Sequence, residues 1–336
     1  MREFHNPIFI VCAPRSGSTL LRLILDAHPN IAIPPPAWLY ELIRPYLYSY
    51  GDCNDTANFL ELCEDMLETP TIKRWNLNID ASDLAKKSKQ QNFAAVYEAL
   101  HIIYAEATGK QRWGEKTPRN SFWIDEIKMD FPDAKIVHIL RDGRDMAIDI
   151  ADTPEMRPFT LYSGAHVWKR FVKSIRDSIN RIPSDDYCEI KYEDLCADPE
   201  AELKKLCRFL REDFDPAMLD HHKTESAKDW SSDSQHAKTA RPITTDYCEM
   251  YKTRLPKGDL AFLDYVIGDL LEECGYPVNG RTEIPERLTN QLIQSDIVTS
   301  PDNYEHKAWL VQRRRKRLDR GVYSIQDQET LLWGMQ

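Results

Sequence analysis

Short continuous apolar runs alternate along this chain with longer stretches of helical periodicity. Ile8-Phe9-Ile10-Val11-Cys12, rich in β-branched residues and bounded by Pro7 and Pro14, suits a strand buried on both faces of a parallel sheet. Ile136-Val137-His138-Ile139-Leu140 is a second such run, and Tyr187-Cys188-Glu189-Ile190-Lys191 a weaker third. Between them lie helical patterns. Leu20, Leu21, Leu23, Ile24 and Leu25 predict a helix that Ala27-His28-Pro29 closes, and Phe59, Leu62, Cys63, Met66 and Leu67 share one face of another. Phe93, Val96, Tyr97, Leu100, Ile103, Tyr104 and Ala107 predict a third, with Gly109 as its stop. Thr117-Pro118 reads as an N-cap with proline at the first helical position, opening a helix through Trp123 and Ile127. Stripes follow at Leu161 to Ile179, at Leu203 to Leu210, and at Leu260 to Leu271 before Cys274-Gly275. Strands alternating with helices imply an α/β fold of three layers, a central parallel sheet flanked by helices.

Residues 1–278 read as one large domain with a helical insertion over about residues 40–110. Ser231 to Thr245 is polar and predicts a loop, and 279–336 reads as a partly helical extension. With 336 residues, 42% hydrophobic and 29% charged, the chain has ample material for a core, which excludes a disordered or fibrous protein. Its 44 Lys and Arg against 54 Asp and Glu give a net charge of −10, so no global field draws it to nucleic acid or anionic lipid. Any anion chemistry must come from a local basic site. The eight cysteines are scattered, with no CxxC pair and no zinc-type spacing to histidine, and read as reduced core residues. The longest early apolar run, Ile8 to Ala13, is too short for a leader or for a membrane span of about 20 residues, so the expectation is a soluble cytoplasmic protein.

Candidate chemistry starts at Cys12-Ala13-Pro14-Arg15-Ser16-Gly17-Ser18-Thr19, between the first strand and its helix, where free amides and the positive end of the helix dipole converge on an anion. Against the GxxxxGK[ST] pattern, Cys12 takes the first glycine's place and Ser18 the lysine's; only Gly17 and Thr19 match. Arg15 supplies the loop's charge, and its planar fork suits two oxygens of one tetrahedral anion. The bland alternative is an ordinary turn with a solvated arginine.

Pro14-Arg15-Ser16-Gly17-Ser18-Thr19 resembles the 5′-phosphosulfate loop of sulfotransferases that use 3′-phosphoadenosine-5′-phosphosulfate (PAPS), in particular the bacterial branch similar to tyrosylprotein sulfotransferases. Leu25-Asp26-Ala27-His28-Pro29, Trp113-Gly114-Glu115-Lys116-Thr117-Pro118, Arg141-Asp142-Gly143-Arg144-Asp145 and Tyr192-Glu193-Asp194-Leu195 follow in the family's order, and Arg241-Pro242-Ile243 is a fainter echo. The resemblance covers about residues 6–278. It implies the phosphate-loop-like sulfotransferase fold and an in-line transfer of a sulfuryl group to a hydroxyl or amine, with 3′,5′-bisphosphoadenosine as product and no metal required. It puts Lys116 on the bridging or leaving oxygen, Ser18 and Thr19 on the 5′ phosphate beside Arg15, Ser16 and Gly17, and Arg141 on the 3′ phosphate, with Arg241 also on the nucleotide. A phosphate-loop kinase is disfavoured by the missing lysine at Ser18.

Two positions depart from the family's pattern. Relatives carry a Ser eight residues after the Arg141 position, where this chain has Asp149; a carboxylate there should weaken phosphate binding unless Arg141 or Arg144 neutralises it. Relatives also carry a Glu, the expected general base, in a Pro-Pro-Glu run where this chain has Pro34-Pro35-Pro36. Proline transfers no proton, so the base falls to Glu41, His166 or Glu115, or the acceptor needs none. With both departures, a non-catalytic binding protein that keeps the fold is the second reading. Trp38, Tyr40, Tyr46, Tyr48 and Tyr50 either line an acceptor pocket, for a carbohydrate or another small molecule, or pack the insertion's core. Arg313-Arg314-Arg315-Lys316-Arg317 reads as a solvated basic helix face. Oligomeric state, including a homo-oligomer, is left open.

Overall fold

A computed structural model describes residues 6–156, 159–231, 239 and 241–278. The extension over 279–336, with its basic block Arg313 to Arg317, lies outside the described residues, as do 232–238 and 240 of the polar segment. The described residues form two compact units, one from 6–36 and 105–278 and one from 37–104.

In the first unit, β1 (Ile8–Val11) leads to α1 (Ser18–Asp26) and β2 (Ile31–Ala32). The second unit holds α2 (Leu39–Leu42), α3 (Thr56–Glu68), α4 (Pro70–Lys73), α5 (Ala81–Lys87) and most of α6 (Phe93–Ala107), which Gly109 stops with φ of 73°. Back in the first unit come β3 (Arg112–Lys116), α7 (Ile124–Asp130), β4 (Lys135–Leu140), α8 (Gly143–Asp152), α9 (Leu161–Ile179) and β5 (Tyr187–Lys191). The remainder is helical: α10 (Tyr192–Ala197), α11 (Pro199–Leu210), α12 (Glu225–Ser231), α13 (Tyr251–Arg254) and α14 (Lys257–Glu273).

The five strands are all parallel, in the order β2-β3-β1-β4-β5. Register places Ile8 beside Gly114 on one side and Lys135 on the other, so β1 is central. Its unbroken apolar run follows from burial on both faces. Ile8, Ile10, Val137 and Ile139 point toward α1 and α11, where Leu21, Ile24, Leu203 and Leu206 complete one core layer. Leu140, with Met146, Trp168, Phe171, Leu263 and Ile267 of α8, α9 and α14, forms the layer on the opposite face. Phe9 meets Trp113 and Phe131 ring to ring, at centroid distances of 5.7 and 5.8 Å. No helix among the described residues is long and apolar enough to cross a membrane. All eight cysteines are free thiols, five of them buried.

The structure differs from the sequence patterning at β3 and at Thr117, and it decides between the two readings of Tyr40 and Tyr50. β3, Arg-Trp-Gly-Glu-Lys, is a fully buried strand that hydrophobicity did not predict. The helix expected from Thr117 is a 3-10 turn, Pro118–Phe122, that breaks at Trp123 before α7 begins. Thr117 does not cap it with its side chain, because its hydroxyl donates to Glu115 at 2.6 Å. In the second unit, Tyr40 and Tyr50 are core residues rather than pocket lining: Tyr40 packs edge-on to Phe93 and Tyr97, and the Tyr50 hydroxyl donates to Asp65.

Candidate functional site

Because the strands are parallel, the carboxyl ends of β3, β1 and β4 lie side by side on one edge, the edge at which open α/β sheets bind ligands. Each contributes something suited to an anion. β1 runs into the Cys12 to Thr19 loop, β3 ends in Lys116, and Arg141 follows β4 directly.

The loop is shaped by two left-handed residues, Arg15 at φ 62° and Gly17 at φ 86°, and the Ser16 amide between them closes the turn on the Ala13 carbonyl at 3.4 Å. Its base is tied down where the Cys12 amide donates to Ser121 Oγ at 2.9 Å and Ser121 Oγ donates back to the Cys12 carbonyl at 3.0 Å. Gly17 is needed for space as well as for φ, since a Cβ there would lie 2.4 Å from the Tyr192 ring. As the N-cap of α1, Gly17 offers no side chain to the helix's first amides, which leaves them and the dipole's positive end for a ligand. Ser16 and Ser18 are buried beside them, and Thr19 is half-buried.

Lys116 is 3% exposed, so it is not the solvated residue that precedes many helices. Its Nζ donates to Thr19 Oγ1 at 3.3 Å, which puts the ammonium against the loop. Burial, helped by the charges of Arg22 and Arg15, pulls its pKa down from 10.5 to about 8. Arg22 was missed by sequence reasoning. It is buried on α1, donates to the Ile33 carbonyl at 3.0 Å, and was legible only as a charge within the Leu20 to Leu25 apolar stretch.

Arg141 is 2% exposed and reaches the loop directly: Nη1 donates to the Arg15 carbonyl at 2.8 Å and to Asp149 Oδ2 at 2.9 Å, while Nη2 donates to the Tyr247 carbonyl at 2.7 Å. Arg15 Nη2 donates to the other oxygen, Asp149 Oδ1, at 3.1 Å. One carboxylate therefore bridges the loop's arginine and the strand's arginine. Burial works against the Arg141 charge, but Asp149 and Tyr192 outweigh it and hold its pKa above the ordinary value. The Tyr192 ring lies 4.8 Å beneath the Arg141 guanidinium while packing on Gly17, so it fixes both. In a chain of net charge −10, Arg15, Arg22, Lys116 and Arg141 at this edge outnumber Asp149 and Glu115.

Only the first arginine of Arg141-Asp142-Gly143-Arg144-Asp145 joins the loop in this way. Arg144 does not neutralise Asp149; it is buried between Asp142 and Asp264, 2.7 and 3.1 Å away, and covers the Tyr251 ring. Asp145 accepts the Tyr251 amide at 2.8 Å, and burial raises its pKa to about 6. Glu193, from the other motif, accepts from the Asp142 amide and the Tyr276 hydroxyl. Trp168 Nε1 donates to the Arg141 carbonyl at 2.8 Å, locking the strand end from α9.

Of the candidate bases, Glu115 alternates away from Lys116 along β3, and its carboxylate accepts from Thr117 and Asn120. His166 is half-buried on α9, and Glu41 half-buried on α2 of the second unit. Arg241 is exposed, on the segment whose Ile243 and Tyr247 pack against the α1-side core.

Comparison with known proteins gives the same direction. The family model "Sulfotransferase family" matches residues 7–216. The chain is 23% identical over 284 residues to protein-tyrosine sulfotransferase A of Caenorhabditis elegans, covering 81% of this chain and 67% of that protein. Among solved structures, the sulfotransferase domain from the Synechococcus PCC 7002 olefin synthase superposes with a TM-score of 0.59 at 23% identity, over 85% of this chain and 99% of that domain. The sulfotransferase domain from the curacin biosynthetic pathway follows at 0.57 and 20%, over 82% and 99%. These two likenesses concern the fold.

Proposed function

The chain belongs to the sulfotransferase family, and from that premise we propose that it moves the sulfuryl group of PAPS onto a hydroxyl or amine acceptor by in-line displacement. The loop amides, with Ser16, Ser18 and Thr19, hold the 5′-phosphosulfate, and Arg141 holds the 3′ phosphate. The acceptor oxygen or nitrogen bonds to sulfur as the bond from sulfur to the bridging phosphate oxygen breaks; charge grows on the bridging oxygen, and the Lys116 ammonium stabilises it. The acceptor's proton goes to a base, for which Glu41 and His166 are the candidates. The sulfuryl group carries less charge than a γ-phosphate, so amides, Arg15 and Lys116 suffice without a metal.

The observation that carries this reading is the buried Lys116 ammonium held at the phosphate-type loop by Thr19. A purely nucleotide-binding role would not need a lysine with its pKa drawn toward neutrality at that point. Acceptor class is open to a carbohydrate, a phenol or a tyrosyl peptide, and a labelled-sulfate assay against that panel tests the proposal. Transfer to one class, unaffected by a chelator, is the expected result. Glu41→Gln or His166→Gln then lowers turnover about a hundredfold, the usual worth of a general base. Full turnover in both variants would remove both candidates, and no transfer to any acceptor would favour the binding-protein reading.

A further inference from the structure

We infer that Asp149 is an internal anion seated on the arginine fork that a bound nucleotide phosphate uses, and that it thereby sets the affinity for the donor. The inference rests on the donor reading above. The Asp149 side chain is 9% exposed, and its two oxygens are taken separately by Arg15 and Arg141. Its backbone is anchored on α8, where Thr153 Oγ1 donates to the Asp149 carbonyl at 2.6 Å, and the two arginines hold the carboxylate itself. The second amine of Arg141 is engaged by the Tyr247 carbonyl.

A phosphate that approaches Arg141 therefore meets a guanidinium already neutralised by a carboxylate at hydrogen-bond distance. It must share the fork with a like charge or displace it. The same bridge offsets the repulsion between the buried Arg141 and the partly buried Arg15, since an uncompensated pair of like charges would be costly. Asp149 thus keeps Arg15 and Arg141 in place in the free protein and opposes the anion that they bind.

Calorimetry with adenosine 3′,5′-bisphosphate and with adenosine 5′-monophosphate tests this on the wild type, Asp149→Ser and Asp149→Asn. The serine removes the charge and the bulk; the asparagine removes the charge and keeps the shape, which preserves the test if the serine variant is unstable. One unit charge at this range in a partly screened site is worth about one to two decades in affinity. Bisphosphate binding about tenfold to a hundredfold tighter in both folded variants, with a smaller gain for the monophosphate, is the expected result. Unchanged or weaker bisphosphate binding, or an equal gain for both nucleotides, would overturn the role given to Asp149 and leave the donor reading standing. Absence of bisphosphate binding to wild type and variants alike would overturn the donor reading itself, and this inference with it.

Discussion

Lys116→Ala loses sulfuryl transfer by about a hundredfold to ten-thousandfold while binding adenosine 3′,5′-bisphosphate within a few-fold of the wild type. The lower part of that range, about a hundredfold to a thousandfold, is the cost of removing one preorganised donor from a developing oxyanion, and proton transfer to the leaving oxygen extends it to about ten-thousandfold. The split follows from geometry: the ammonium sits on the Thr19 side of the loop, whereas Arg141, the proposed holder of the 3′ phosphate, meets the loop from the β4 side. A pH profile adds a second check. In the proposed role Lys116 acts as the ammonium, and with its pKa drawn down to about 8 by burial it loses the proton on the alkaline side. kcat/KM in the wild type accordingly falls as pH rises through about 8. An anionic donor favours the charged lysine, so the kcat limb lies at higher pH. Lys116→Ala lacks this limb. An unchanged rate in the variant, or an alkaline limb that survives it, would take Lys116 out of the chemistry.

Arg141→Ala lowers both stability and donor binding. Its guanidinium is buried, spans the Arg15 and Tyr247 carbonyls, and carries half of the Asp149 bridge. Deleting one partner of a buried pair costs about 3–5 kcal/mol when the other charge is left uncompensated; here Arg15 still holds one oxygen of Asp149, so the loss is about 1.5–3 kcal/mol, the worth of hydrogen bonds to a charged group. For a domain of this size that corresponds to a fall in melting temperature of about 3–12 °C. The double variant Arg141→Ala/Asp149→Ala recovers part of the loss, since it removes the half-paired carboxylate as well. A melting temperature within about 2 °C of the wild type for Arg141→Ala would mean that the bridge contributes nothing to the fold.

Much of the frame could be read from patterning. The apolar runs at Ile8 and Ile136 are the central strands, and the stripes at Leu161 and Leu260 are α9 and α14. β3 could not be read that way. Its polar residues are buried because each has a partner that only the fold supplies: Arg112 reaches the carbonyls of Asn6 and Leu210 and the carboxylate of Glu212, and Glu115 takes Thr117 and Asn120. Hydrophobicity sees charge where the structure has a satisfied network. The helix predicted at Thr117 failed for a related reason, since side chains that would cap and extend it instead tie β3 and the loop together.

The loop, Lys116 and Arg141 were visible in the sequence as motifs. Their assembly was not, because it depends on the crossing of the chain that sets β3 and β4 on either side of β1. Choosing Arg141 over Arg144 as the partner of Asp149 likewise required the fold. Residues 141 and 149 are separated by two helical turns, yet it is the cap at Asp142 that turns Arg144 inward to Asp264 and leaves Arg141 facing the loop. Arg22 and the Tyr192 ring were hidden for the opposite reason: one lay inside an apolar stretch and the other inside a motif, with nothing to show what either touched.

The proposed chemistry depends on one place, the amides and cations where β3, β1 and β4 end. A crystal structure of the full chain grown with adenosine 3′,5′-bisphosphate tests it most directly. The expected density has the 5′ phosphate on the amides at the start of α1, from Gly17 to Thr19, and the 3′ phosphate at Arg141. Nucleotide bound at any other surface, with that loop empty, would contradict it.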